Sequence, residues 1–102
     1  MREINYNGID YQLSPLTLGA LERLGDRIDT ISKDDASTID RAKTIVDVAH
    51  ESLRRKHPEL KRSDVAEMID MSNMLDVFLA IIRMSGLWQD SQKKTDEVTL
   101  DR

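Results

Sequence analysis

Leu53-Arg54-Arg55-Lys56-His57-Pro58-Glu59-Leu60, then Ser63-Asp64, then the apolar run from Met74 to Met84 closed by Ser85-Gly86-Leu87, decide how this chain folds. Pro58 disfavours helix at His57, so a helix ends there or just before. Ser63 with Asp64 opens a short helix carrying Val65, Met68 and Ile69. Ser72 or Asn73 caps the next one, with Asp76 well placed in its first turn. That last helix has apolar residues on most sides. It therefore reads as the central element of a fold, or in part as a surface that a partner covers. Gly86 fits the left-handed position after a helix end, and Leu87 would then touch Ile82 across a Schellman motif. The pattern is one of short helices folded against one another.

Toward the N-terminus the period changes. Asn7-Gly8 is a strong two-residue turn signal, because a type I′ turn requires positive φ at both central positions. The register it sets pairs Tyr6 with Ile9, Asn5 with Asp10, Ile4 with Tyr11 and Glu3 with Gln12. One face then carries Ile4, Tyr6, Ile9 and Tyr11, and the other only polar residues. A lone hairpin is marginal in water, so its apolar face must lie on helices. Ser14 is expected to cap the first helix, with Pro15 at the tolerated first position. Leu21, Leu24, Ile28 and Ile31 form its stripe. A polar loop, 32–36, leads to a second helix capped at or near Ser37, with a stripe of Ile39, Ala42, Ile45 or Val46, Ala49 and Leu53.

The expected fold is mainly α: an N-terminal β-hairpin (about 2–13) packed on about four helices (about 15–31, 37–57, 64–71 and 73–85). Residues 1–88 form the single domain and 89–102 a flexible C-terminal tail with no apolar periodicity. One hundred and two residues suffice for one modest core.

Composition excludes several classes of function. With no cysteine, disulfide frameworks and thiolate metal sites are absent. No run approaches the roughly 20 apolar residues of a membrane span, and Glu3 stands where a signal peptide would begin its apolar stretch. The chain is expected to stay in the cytoplasm where it is made. Net charge is −4 and the pI is near 5.1, which repels a phosphate backbone overall. Arg54, Arg55, Lys56, His57, Lys61 and Arg62 form a local basic cluster. It reads first as cations complementing a helix C-terminus and facing water, with a nucleic-acid patch as the second reading.

No catalytic or cofactor constellation emerges. His50 and His57 lack metal-ligand spacing, and nothing resembles a strained nucleophile elbow. Asp26, Asp29, Asp34 and Asp35 lack calcium-loop spacing and read as solvated acids. No enzyme, metal or cofactor is expected. Met68, Met71, Met74 and Met84 fill a core or serve an adaptable partner surface. Trp88 either anchors an interface or covers the end of the core. Met71, Met74, Leu87 and Trp88, at the two ends of the most apolar helix, are the candidate partner-binding residues.

Three stretches together resemble a known family: Leu13-Ser14-Pro15-Leu16-Thr17-Leu18, Leu53-Arg54-Arg55-Lys56-His57-Pro58-Glu59, and Val65-Ala66-Glu67-Met68-Ile69-Asp70-Met71-Ser72-Asn73 leading to Ser85-Gly86. Covering roughly residues 10–87, they are similar to the small tail assembly chaperones of long-tailed, non-contractile bacteriophages and prophages. Order and spacing carry the likeness, since each piece is punctuation around helices. The resemblance implies binding to the long tape-measure protein, which is kept soluble in the host cytoplasm while tail-tube subunits polymerise around it. It also implies absence from the mature virion, and a longer frameshifted form that recruits the tail-tube protein; Lys93-Lys94 fit the A-rich codons such shifts use. Self-association is possible, and neither nucleic acid nor membrane is an expected partner. The competing readings are a small helix-turn-helix DNA-binding regulator and a structural head–tail joining protein.

Overall fold

The computed structural model describes residues 2–31 and 36–87; most of the 32–36 loop, Trp88 and the expected tail lie outside the described residues. The order of elements is β1 (Glu3–Tyr6), β2 (Ile9–Gln12), α1 (Leu18–Ile31), α2 (Thr38–Leu53), α3 (Arg62–Met68) and α4 (Met74–Met84).

The hairpin forms in the expected register, with Glu3 opposite Gln12, Ile4 opposite Tyr11, Asn5 opposite Asp10 and Tyr6 opposite Ile9. Asn7 (φ 54°) and Gly8 (φ 81°) supply the two positive φ angles that a type I′ turn requires. On the polar face Asn5 donates to Asp10 across the strands at 2.7 Å. On the other face Ile4 is buried and Tyr6 and Tyr11 pack against the core. Ile9 is instead 52 % exposed: it adjoins the turn, at the end of the ribbon where the core no longer reaches.

Between hairpin and α1 the structure departs from expectation. Ser14 is not a helix cap and Pro15 is not the first helical residue; α1 begins at Leu18. Thr17 caps it, its hydroxyl accepting from the Ala20 N–H at 3.1 Å. Residues 13–16 form a strap, buried at Leu13 and Ser14 and exposed at Pro15, whose backbone groups are satisfied by other parts of the chain. The Ser14 N–H donates to Ser52 Oγ, the Ser52 hydroxyl donates back to the Ser14 carbonyl, and the Leu16 N–H donates to Ser85 Oγ. Pro15 disfavours helical geometry at Ser14, and tertiary hydrogen bonds take the place of a first turn.

Helix α2 packs on α1, α3 and α4. It therefore holds the central position that its apolarity suggested for α4. Ser37 caps it as expected, accepting from the Asp40 N–H. Its buried side is Thr44, Ile45, Val48, Ala49, Ser52 and Leu53, while Ile39, expected in the stripe, is 66 % exposed. Regular helix stops at Leu53 rather than near His57. The Leu53 carbonyl accepts from both Lys56 and His57 N–H groups, a tightened last turn. The turn points His57 at the hairpin: its Nε2 accepts from the Gln12 N–H at 2.9 Å, and its ring meets Tyr11 edge to face at 5.1 Å. A two-stranded ribbon is thus fastened to the helices by polar as well as apolar contacts.

Helix α3 starts two residues earlier than expected. Asp64 accepts from the Lys61 N–H, making Lys61 rather than Ser63 the residue before the helix, and extended geometry at Ile69 ends it. Helix α4 buries Val77, Phe78, Ile81 and Ile82. Gly86 (φ 73°) stops it. The Leu87 N–H reaches the Ile82 carbonyl and the Gly86 N–H the Arg83 carbonyl, the two bonds of a Schellman motif.

Candidate partner-binding surface

The α3–α4 connection is built around one carboxylate. Asp70 Oδ1 accepts from the Ser72 hydroxyl (2.6 Å), the Ser72 N–H (2.9 Å) and the Asn73 N–H (3.2 Å). In return Asn73 Oδ1 accepts from the Asp70 N–H at 2.8 Å. Asn73, one of the two expected residues, holds the N-cap position but makes no side-chain cap hydrogen bond, and the side chain that organises the start of α4 is Asp70. The Ser72 hydroxyl and N–H, with the Asn73 N–H, hold the Asp70 carboxyl below the usual carboxylate range. This knot fixes the backbone on either side of Met71.

Next to it lies a shallow apolar groove of about 150 Å³. Ala42, Ile45 and Val46 of α2 form one wall, with Ile69, Met71 and Met74 forming the other; Asp70 is the polar lining residue. Met71 is 72 % exposed, whereas Met74 is half-buried and packs on the core. Exposed Ile39 shares an α2 face with Ala42 and Val46, at spacings of three and seven. Leu75, next to Met74, is 59 % exposed. The structure thus brings together two of the four candidate residues. Leu87 lies at the other end of α4, packed on the core as part of the helix stop, and Trp88 lies outside the described residues.

Ile39, Val46 and Leu75 join Met71 and Met74 as candidates that sequence reasoning did not nominate. Leu75 was legible in principle: a helix apolar on most sides must leave some of that surface uncovered when it lies at the edge of a fold. Ile39 was not, because helical spacing assigns it to the stripe that packs.

The basic cluster is largely engaged within the chain. Arg54 pairs with Glu51 at 3.2 Å, Arg55 donates to the Pro15 carbonyl at 2.8 Å, and Lys56 donates to Gln12 Oε1 at 3.1 Å. Arg62 and Arg27 both bind Asp47. Burial raises the pKa of Asp47, but the hydrogen bonds and charges of Arg62 and Arg27 outweigh this and hold the carboxyl below its ordinary value. His50 approaches the Leu60 carbonyl at 3.2 Å. Among the described residues no group of His, Asp and Glu is placed to hold a metal ion, and no helix is long and apolar enough to cross a membrane.

Compared with family models, curated proteins and solved structures, the chain matches none of them.

Proposed function

We propose that this chain is a non-enzymatic binding module, a tail assembly chaperone that holds the tape-measure protein soluble in the host cytoplasm and leaves before the virion is complete. One observation carries the reading: the Met71–Met74 groove, apolar on both walls and set against a fixed turn. A tape-measure protein exposes apolar helical stripes until tube subunits enclose it. Flexible thioethers beside a firm α2 wall suit such stripes, because they adapt to imperfect side-chain spacing. A groove of this size makes modest contacts, which fits a partner that must later be released. The resemblance over residues 10–87 supplies the identity of that partner, and the tube protein would join through a longer form of the chain. The regulator reading loses ground on α4, whose buried face is Val77, Phe78, Ile81 and Ile82, and on Arg62, which is committed to Asp47.

The test is co-expression with a cognate tape-measure protein. The expected result is a several-fold rise in soluble tape-measure protein and its recovery in a pull-down. Absence of both would end this reading, and salt-sensitive DNA binding in a mobility-shift assay would put the regulator in its place.

A further inference from the structure

A second, chemically different groove lies at the opposite end of α4. It is walled by Arg2, Arg55, Lys56 and Arg83, with Glu3 the one acid in its lining. Elsewhere arginines meet carboxylates, as in Arg23–Glu51 and Arg27–Asp47. Here they do not. Arg55 and Lys56 donate to the neutral Pro15 carbonyl and Gln12 amide oxygen, and the Arg2 and Arg83 guanidiniums have no partner among the described residues. An acidic chain thus gathers in one concavity positive charge that no carboxylate pairs with among the described residues, Asp76 lining the adjoining cavity beside Arg2 and Arg83. The groove is also partly apolar, through Pro15 and Met84, and Ser14 in its wall carries a buried hydroxyl without a hydrogen-bond partner among the described residues.

From this juxtaposition we infer that the groove binds an acidic peptide segment of a partner protein, one in which carboxylates alternate with apolar side chains. Guanidiniums grip carboxylates through paired N–H donors, while Pro15 and Met84 receive the intervening apolar side chain. A nucleic acid fits less well. The chain's net charge of −4 repels a long polyanion outside the groove, and the apolar lining offers nothing to a phosphate backbone. The inference goes beyond the tape-measure reading and uses none of the Met71–Met74 residues, so either can fail without the other.

Fluorescence anisotropy of the full chain with a short labelled peptide of alternating Glu and Leu tests it. The controls are the matching Gln-Leu peptide and a single-stranded DNA oligonucleotide. Saturable binding is expected for the acidic peptide alone, weakening as salt is raised. Arg2→Gln combined with Arg83→Gln should lower that affinity at least about tenfold, the loss of roughly one charge-assisted contact. Both side chains are exposed and neither has a partner among the described residues, so the melting temperature should stay put; if the double variant melts early, Arg83→Gln alone takes its place. Equal binding of the Gln-Leu peptide, an unchanged affinity in the variant, or no saturable binding would overturn the proposal. So would DNA that binds more tightly than the peptide and is released by the same substitutions.

Discussion

Ser52 and Ser14, thirty-eight positions apart, exchange a reciprocal pair of hydrogen bonds in the protein interior: the Ser14 N–H donates to Ser52 Oγ at 2.8 Å, and the Ser52 hydroxyl donates to the Ser14 carbonyl at 2.6 Å. One hydroxyl thereby satisfies both backbone groups of a buried residue. It also locks the strap between hairpin and α1 onto the central helix. Ser52→Ala leaves those two groups buried without partners and should cost about 2–4 kcal/mol. Ser14→Ala is the contrast. The Ser14 hydroxyl is buried and has no partner among the described residues, so its removal should leave stability unchanged or slightly raised. Urea unfolding of both variants checks the pair, and equal midpoints would assign the strap's stability to something else.

The hairpin depends on backbone conformation rather than on space at its turn. A Cβ built at Gly8 meets nothing within 4 Å, while φ is +81°. Gly8→Val should therefore destabilise by about 1–3 kcal/mol through strain alone. Gly8→Asn, which tolerates the left-handed region, should cost clearly less. Similar thermal midpoints for the two would remove strain as the cause.

These two sites also mark what the chain discloses before it is folded. Turn, register and polar face at residues 3–12 follow from neighbours in sequence, so local chemistry predicts them. The Ser37 cap and the Gly86 stop are local in the same way. The late start of α1 is not, because the groups that replace its first turn belong to Ser52 and Ser85. Helical spacing likewise put Ile39 in the core, but spacing records only which residues share a face and not how far the opposing helix extends. At the candidate surface Met71 and Met74 were legible from their adaptable chemistry. The wall facing them, Ala42 and Val46, was visible only once α2 had been placed. The basic cluster reads as one patch in sequence, but folding divides it between ion pairs and the Arg55–Lys56 side of the second groove.

Asp47 should contribute a defined part of the acid sensitivity. Its carboxyl is held below the ordinary value of 3.8 by Arg62 and Arg27 against the effect of burial. A depressed folded-state pKa means that the unfolded chain binds the proton more readily. The stabilisation is therefore present above about pH 4 and lost as the pH falls through the folded-state value. Asp47→Asn should lower stability at neutral pH, and the gap from wild type should close below pH 4. Denaturant melts across this range read it directly. A gap that stays constant as the pH falls would mean that Asp47 acts through packing rather than charge.

Charge at Met71 is the sharpest probe of the proposed chaperone surface. The side chain is 72 % exposed, so Met71→Glu should change stability by no more than about 0.5 kcal/mol and leave helical content intact. A partner helix covering Met71 removes its apolar area from water. Losing that contact and burying a carboxylate in its place should weaken binding by at least about tenfold. Soluble yield of co-expressed tape-measure protein should fall accordingly, and Trp88→Glu should act in the same direction. Leu18→Glu is the control: Leu18 is 80 % exposed and apolar but lines no part of the Met71–Met74 groove. Rescue should survive there. If Leu18→Glu and Met71→Glu behave alike, the partner is held by diffuse apolar surface and the groove is not its site. If wild type gives no rescue, and Arg54→Ala with Arg55→Ala abolishes a salt-sensitive DNA shift without lowering the melting temperature, the chain is the regulator instead.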